Sequence, residues 1–361
     1  MGRKPEGDLR RGWTTGACAA AAAGAAFEAL ATGRFPDPVT IRLPRGETPS
    51  FALAEHALDK DTASAGIVKD AGDDPDVTHG ALVRAQVTLA APGTGIRFLA
   101  GPGVGTVTRP GLALPVGEPA INPGPRALIR ETLQAIAEGC GRPVDAEVTI
   151  SIPGGEALAE RTANARLGIL GGLSVLGTTG IVVPYSCAAW IHSIHRGIDV
   201  ARAAGLDHVG AATGRTSEAA LQGLYGLPDH AMLDMGDFAG AVLKYMRRSP
   251  LPRLSIAGGF GKLSKLAAGH LDLHSGRSQV DVAGLAELLA DLGASAELVA
   301  AVGKAVSAGE VLELAGAAGL DLAEAVARRA RETALASLSG DTAVEVLVFA
   351  RDGALLGRAG A

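Results

Sequence analysis

The spacing of apolar residues divides the chain into an early part that favours strands and a later part that alternates strands with helices. Short β-branched segments, separated by Pro, Gly and Asp clusters, predict a mixed sheet between Val39 and about Leu99. Two helices accompany it, one after Thr14 and one from Pro125 to about Glu138. With the later strand VTISIP they predict an α+β first domain over residues 1–165.

From Leu173 onwards the pattern changes to a repeated unit of strand, Gly-rich turn and helix. The four predicted strands are LSVLGTTG, DHVGAATG, HAMLDMGD and LPRLSIAGG. Parallel neighbours need a long return connection, so this alternation predicts a parallel sheet with right-handed crossovers. Residues 166–361 are therefore expected to form an α/β domain with a small parallel sheet of order 2-1-3-4, followed by helices and the strand VEVLVFA.

Composition narrows the classes of partner. A net charge of −5 over 361 residues, without a basic stripe, argues against nucleic-acid binding. The sequence contains no run of about 18 strongly apolar residues, so no membrane span is predicted. Cys18, Cys140 and Cys187 lack the spacing of a disulfide framework or a zinc site, so a reducing, cytoplasmic setting is expected. The oligomeric state stays open, with a homodimer among the alternatives.

Three motifs in the first domain carry candidate chemistry. In TTGACAAAAAGAA, Thr14 and Thr15 either cap a helix or leave its N–H groups facing an anionic ligand. The acidic stretch KDAGDDPDVTHG is interpreted as a polar rim or a plain turn, and no metal is expected there because a calcium-loop pattern is absent. The Gly- and Pro-rich stretch from Gly101 to Arg126 is interpreted as a ligand loop with two cations, Arg109 and Arg126.

Two Gly-rich turns of the second domain are expected to meet. GTTG consists of Gly177, Thr178, Thr179 and Gly180, and MGD contains Asp237. They follow the first and third predicted strands, which an order of 2-1-3-4 brings together at the switch point where such sheets bind ligands. The alternative is that both are ordinary turns.

A fourth turn precedes a group of basic residues. Lys262, Lys265, His270, His274 and Arg277 follow GGFG and form a candidate anion site, the alternative being that the two lysines lie on a solvated helix. His192 and His195 lie three residues apart on one helical face, where a third metal ligand is missing, so a packing role is favoured over metal binding.

Six blocks, in order, resemble the CbiD family: TTGACAAAAA, KDAGDDPDVTHG, GPGVGTVTRPGL, GEPAINPGPR, GGLSVLGTTGIVVP and GKLSKLAAGHLDLHS. The resemblance runs from about Gly12 to about Ser275. It implies a two-domain α+β and α/β fold and an enzyme of cobalamin synthesis. That enzyme would methylate C-1 of a (cobalt-)precorrin-5B tetrapyrrole with S-adenosylmethionine, giving (cobalt-)precorrin-6A. GGFGKLSK departs from the expected GHPGKLAK, so the resemblance implies no role for Gly259 or Phe260.

The implied activity gives each candidate residue a role. Asp237 and His274 are the candidate catalytic groups, His274 as acceptor of a ring N–H proton. The donor is expected to lie against Asp237 and against Gly177, Thr178, Thr179 and Gly180. The substrate is expected to contact Thr14, Thr15, Arg109, Arg126, Lys262 and Lys265.

Two other functions stay open, a tetrapyrrole carrier without catalysis and a small-molecule kinase. The lack of a GxxxxGK[ST] phosphate loop argues against the kinase interpretation.

Overall fold

The structure, a computed structural model, describes residues 7–360. The chain forms two compact units, Met1–Cys187 and Ala188–Ala361. The division falls later than the predicted one after residue 165, because residues 169–182 pair with earlier strands of the first unit.

Over its described residues, 7–187, the first unit contains short strands, one longer sheet and three helices. In chain order they are β1 (Gly12–Trp13), α1 (Thr15–Thr32), β2 (Val39–Thr40), β3 (Ser50–Phe51), β4 (Glu55–Leu58), β5 (Thr62–Val68), β6 (Leu82–Leu89), β7 (Ile96–Ala100), β8 (Gly103–Val104), β9 (Thr106–Val107), α2 (Pro123–Cys140), β10 (Ala146–Ser151), α3 (Gly155–Ala159), β11 (Ile169–Leu170), β12 (Gly172–Leu173) and β13 (Ile181–Val182).

Helix α1 forms the centre of the first unit. It packs against strands β5 and β6 of the sheet β4-β5-β6-β10-β7, and α2 packs against α1. Small residues permit this close layering, because a Cβ at Gly24 would lie 2.9 Å from Thr132 Cγ2 and one at Gly16 would lie 2.7 Å from Pro125 Cγ. The two predicted helices and the strand near Val148 are confirmed, whereas strand β5 was not anticipated.

The segment LSVLGTTG belongs to the first unit, which corrects the predicted sheet. Strand β12 pairs with β8, and β13 pairs with β1 at the start of the chain. Between them, Val175 N donates to Ala120 O and Leu176 O accepts from Gly16 N. These partners, all from earlier parts of the first unit, occupy the backbone groups that a strand of the second sheet would have used.

Over its described residues, 188–360, the second unit contains eight α-helices and the five strands of one sheet. In chain order they are α4 (Ala188–Ala203), β14 (His208–Ala212), α5 (Arg215–Tyr225), β15 (Met232–Asp234), α6 (Ala239–Met246), β16 (Arg253–Gly259), α7 (Phe260–Ala267), α8 (Val282–Asp291), α9 (Ala296–Val302), α10 (Ala308–Ala317), α11 (Leu322–Ser337), β17 (Ala343–Phe349) and β18 (Leu355–Ala359). A 3₁₀ turn, Asp229–Ala231, precedes β15.

The second sheet has the order β15-β14-β16-β17-β18. The first four strands are parallel and β18 is antiparallel to β17. The order predicted for the four named strands is wrong, because LSVLGTTG is absent from this sheet and VEVLVFA, which is β17, lies beside β16 instead. Strand β18 was not anticipated. Residues on one face pack against α5, whereas those on the other pack against α4, α6, α7 and α11.

A buried carboxylate ties together the amino-terminal ends of the strands. Glu345 of β17 accepts from Tyr225 Oη at 2.6 Å, Ser255 Oγ at 2.8 Å and Arg358 Nε at 2.6 Å. Because Ser255 gives its only proton to Glu345, its oxygen must accept from His208 Nε2, 2.8 Å away. In a serine hydrolase the catalytic serine gives its proton to the histidine, whereas Ser255 gives its proton to Glu345. The cluster of His208, Ser255 and Glu345 is therefore structural.

His208 makes the stability of the second unit depend on pH. Burial lowers the pKa of His208 below its ordinary value of 6.5, so the unfolded chain takes up this proton first as the pH falls. The free energy of unfolding should therefore decrease from about pH 6.5 down through the folded-state pKa. His208→Gln, which keeps an amide donor near Ser255, should lose less stability over that range.

Urea unfolding followed by Trp190 emission in a Trp13→Phe background measures this effect in the second unit. The difference in unfolding free energy between wild type and His208→Gln should be smaller at about pH 5.5 than at about pH 7.5. An equal difference at both values would contradict the assignment.

Candidate functional site

A cleft of about 910 Å³ opens in the second unit at the carboxyl ends of its central strands. Thr213 follows β14, Gly259 ends β16 and Arg351 follows β17, and all three line it. Helices α5 and α7 leave the neighbouring strands β14 and β16 towards opposite faces of the sheet, as the separate clusters containing Leu221 and Leu263 show. The cleft is therefore the switch point, where ligands bind in sheets of this kind.

Each of the two helices that begin at the cleft has a glycine as its N-cap residue. Gly214 precedes α5 and Gly259 precedes α7, and neither supplies a side-chain cap. A Cβ at Gly258 would lie 2.8 Å from Thr213 Oγ1, so that glycine is needed for the close approach of the two turns. The first turns of both helices line the cleft, which gives it a positive local potential.

Asp237 contributes a carboxylate to this positive surrounding. Lys262 Nζ lies 3.1 Å from Asp237 Oδ1, but it is not aligned as a hydrogen bond and donates to Thr213 O at 3.0 Å instead. Asp237 Oδ1 is buried and has no hydrogen-bond partner among residues 7–360. A buried carboxylate oxygen without a donor is costly, and a hydroxyl or ammonium group of a ligand would satisfy it.

Lys265 is nearly buried and supports the cleft wall. Its Nζ donates to Leu273 O at 2.9 Å, and Leu273 N donates to Asp237 O at 2.8 Å. Burial lowers the pKa of Lys265. Its observed bond holds residues 271–274 in place, and its expected contact with substrate stays a prediction.

His274 lies exposed at the edge of the cleft. Its Nδ1 accepts from Gly276 N at 3.1 Å, so in the neutral ring the proton is on Nε2. In this arrangement Nε2 is a donor, and the ring must give up the Gly276 bond to accept a proton at Nδ1. Its role as a base stays a prediction.

The cleft thus brings together four of the predicted site residues, Asp237, Lys262, Lys265 and His274. Sequence reasoning gave no role to three cleft-lining residues, Thr213, Arg215 and Arg351. The Gly-rich turn before a helix in AATGRTS was a usable signal for the first two. No local signal marks Arg351, because its place depends on the pairing of β17 with β16.

The GTTG turn lies in the first unit, so the second sheet does not bring it to Asp237. Gly177 has φ +117° and a Cβ there would lie 2.4 Å from Thr14 Cβ, and Gly180 has φ +82° with Leu43 Cδ2 2.6 Å from its added Cβ. Both glycines are thus required by backbone conformation and packing. Thr179 Oγ1 bonds the backbone of Ile181.

Thr14 and Thr15 connect the start of α1 to that turn. Thr14 Oγ1 accepts from Ala17 N at 3.1 Å, which confirms the capping interpretation, and Thr14 N donates to Gly180 O. Thr15 Oγ1 bonds both backbone groups of Leu176. Contacts of these threonines with substrate stay a prediction.

The two loop arginines differ in their partners. Arg126 donates to Glu118 Oε2 at 2.8 Å and to Ile121 O at 2.7 Å, which braces the Gly- and Pro-rich loop. Arg109 packs its stem against Gly168 and makes no ion pair within residues 7–360. Arg109 is therefore the freer of the two for an anionic ligand.

The carboxylates of the acidic stretch bind neighbouring side chains and backbone N–H groups. Asp70 pairs with Arg10, Asp74 Oδ1 accepts from Tyr185 N at 2.7 Å, and Asp76 pairs with the buried Lys69 at 2.6 Å. The Arg10 guanidinium lowers the pKa of Asp70 to about 2. Within residues 7–360, no group of three or more His, Cys, Asp or Glu side chains is arranged to hold a metal ion.

Across residues 7–360, no helix is both long and apolar enough to cross a bilayer.

Comparison with known proteins agrees with the order of the motifs. The CbiD family model matches residues 2–184, and the model of the CbiD C-terminal domain matches residues 272–360. Proteins called cobalt-precorrin-5B C(1)-methyltransferase from Brucella canis and Brucella anthropi are each 60% identical, over 99% and 97% of this chain and 97% and 96% of their own.

A crystal structure of a cobalamin biosynthesis protein from Archaeoglobus fulgidus is 28% identical and covers 75% of this chain and 84% of its own, with a TM-score of 0.41. On the family models and the near-full-length relatives, the chain belongs to the CbiD family.

Proposed function

We propose that this chain transfers a methyl group from S-adenosylmethionine to C-1 of a precorrin-5B-type tetrapyrrole in cobalamin synthesis. The observation that carries the proposal is 60% identity, over 99% of the chain, to a protein called cobalt-precorrin-5B C(1)-methyltransferase. That name specifies the cobalt-bearing substrate. Cys18 and Cys140, which form no disulfide, fit our further proposal that the reaction takes place in the reducing cytoplasm.

The donor site is proposed to be the switch-point cleft of the second unit. Its volume of about 910 Å³ falls in the range of small-molecule sites. Asp237 Oδ1 is the buried acceptor that lacks a donor, and the ribose hydroxyls and the amino group of S-adenosylmethionine are donors. Asp237 is also the one carboxylate side chain among the described residues that line the cleft.

The donor supplies an electrophilic sulfonium methyl group, and displacement by the ring carbon leaves S-adenosylhomocysteine. This chain's residues then have to hold the two reactants in line and exclude water. In well-oriented systems, such positioning lowers the activation free energy by about 7–11 kcal/mol. The methylated ring loses its N–H proton, for which His274 at the edge of the cleft is the proposed acceptor once its bond to Gly276 opens.

The reaction itself is tested with purified protein, S-adenosylmethionine and enzymatically prepared precorrin-5B or its cobalt form, under anaerobic conditions. We expect a product one methyl group heavier and one equivalent of S-adenosylhomocysteine, detected by mass spectrometry. Tight binding of the tetrapyrrole without any methylated product would favour a carrier instead.

The placement of the donor predicts the effect of Asp237→Asn. Loss of the charged acceptor should weaken S-adenosylhomocysteine binding about tenfold, or about 1.4 kcal/mol, because bonds to charged groups are the stronger ones. Calorimetric titration measures the affinity, and a thermal melt checks folding. Asp291→Asn, which removes an exposed carboxylate on α8 outside the cleft, is the matched control.

Wild-type affinity in a normally folded Asp237→Asn variant would place the donor elsewhere. The start of α1 at Thr14 and the loop from Gly101 to Gly111 would then be the next places to test.

A further inference from the structure

A second hollow, of about 450 Å³, lies in the second unit beside α4 and α6. Its apolar lining includes Ile191, Phe238 and Leu271. His195 and Tyr245 add a stacked pair of rings, with centroids 4.1 Å apart and planes 11° from parallel. The hollow therefore presents apolar and flat aromatic surface to a ligand.

The aromatic pair is held in place by hydrogen bonds, and burial favours the neutral form of both rings because it lowers the pKa of His195 and raises that of Tyr245. Tyr245 Oη donates to Asp199 Oδ1 at 2.8 Å and Oδ2 at 2.9 Å, and Arg196 pairs with Asp199 at 3.1 Å. Burial lowers the pKa of His195 below its ordinary 6.5, which favours the neutral ring. A rigid, neutral pair suits an extended conjugated ring system.

Three cations surround this apolar lining. Lys244, Arg247 and Arg248 are exposed, and none makes an ion pair or a side-chain hydrogen bond to residues 7–360. The carboxylate in the lining, Asp272, is already paired with Arg277. The hollow therefore has an excess of unpaired positive charge although the whole chain carries −5.

The end of α6 offers a simpler explanation for part of this charge. Cations near the carboxyl end of a helix interact favourably with its dipole, and Lys244 lies in the last turn. The dipole accounts for the sign of the charge but not for the apolar hollow with stacked rings between the three cations. That combination matches a ligand with a conjugated body and carboxylates at its edge.

The hollow and the switch-point cleft share a wall. Gly240 N donates to Leu271 O at 2.8 Å and Leu273 N donates to Asp237 O at 2.8 Å, which joins two segments of backbone. Asp237 and Leu273 line the cleft, whereas Gly240 and Leu271 line the hollow. A ligand broader than this wall can reach both cavities.

We propose that the hollow binds the tetrapyrrole substrate, with part of the conjugated ring against His195 and Tyr245 and its carboxylates at Lys244, Arg247 and Arg248. This inference rests on the proposed function, because it takes the ligand class from that reaction and the donor from the neighbouring cleft. It adds a substrate site that is separate from Lys262 and Lys265.

The probe for this site is uroporphyrin, a stable tetrapyrrole with carboxylates around its edge, followed by the anisotropy of its own emission. The double variant Arg247→Ala/Arg248→Ala should raise its Kd about tenfold or more in the full chain, because two charge-assisted contacts are lost. The double variant Lys304→Ala/Arg329→Ala removes the same charge from exposed positions outside both cavities and should leave the Kd within about twofold of wild type.

Three results would overturn the proposal: no uroporphyrin binding by the wild-type protein, an unchanged Kd in the Arg247/Arg248 variant, or an equal loss in the control variant. The last result would mean that net charge alone attracts the probe. Failure of the proposed function looks different, because wild type would then give no methylated product whatever the uroporphyrin titrations show. Calorimetry with S-adenosylhomocysteine should give the same affinity for both double variants, which separates this site from the donor cleft.

Discussion

Parallel pairing of β14, β16 and β17 forces the segments that follow these strands to leave the sheet at one edge. Five residues of β14 and seven of β17 run in register with β16, so Thr213, Gly259 and Ala350 all lie at the same edge of the sheet. Helix starts, backbone N–H groups and the Asp237 turn then gather around the same space. Without this register, residues distant in sequence such as Lys262 and Arg351 would not line one cleft.

The same sheet separates its structural charges from those available to a ligand. At the amino-terminal ends, Glu345 is saturated by hydroxyl and guanidinium donors, which is how a carboxylate is kept charged inside a protein. At the carboxyl ends, Asp237 Oδ1 is left without an aligned donor. Among residues 7–360, two buried side-chain atoms lack a hydrogen-bond partner, Arg253 Nε beside Glu345 and Asp237 Oδ1. Of the two residues, only Asp237 lines the cleft, where a ligand can supply the missing donor.

Local sequence pattern was sufficient for several elements and insufficient for their assembly. The small-residue run of α1, the apolar spacing of α2 and the Gly-rich turn before α7 each predict their own structure from neighbouring residues. LSVLGTTG has the same local features as a sheet strand, yet its backbone groups pair with β8, with Ala120 and with the start of α1. Such long-range partners are not encoded by local period and propensity. The donor site was accordingly predicted from two turns that lie in different units.

The candidate site shows the same division. Asp237, Lys262, Lys265 and His274 could be selected by residue type and by nearness to Gly-rich turns, but their partners could not. Lys265 donates to Leu273 O, and Arg126 donates to Ile121 O within the Gly- and Pro-rich loop. Both hydrogen bonds follow only from the packing of the folded chain. The substrate hollow had no sequence signal of its own, because Ile191, Phe238 and Leu271 come from three separate segments.

The most direct measurement of the central claim is a crystal structure of the full chain with S-adenosylhomocysteine. The account predicts the ligand in the cleft beyond β14 and β16, with one of its hydroxyl or amino groups within hydrogen-bond distance of Asp237 Oδ1. A ligand bound instead in the first unit, against residues 177–180 and the start of α1, would contradict it.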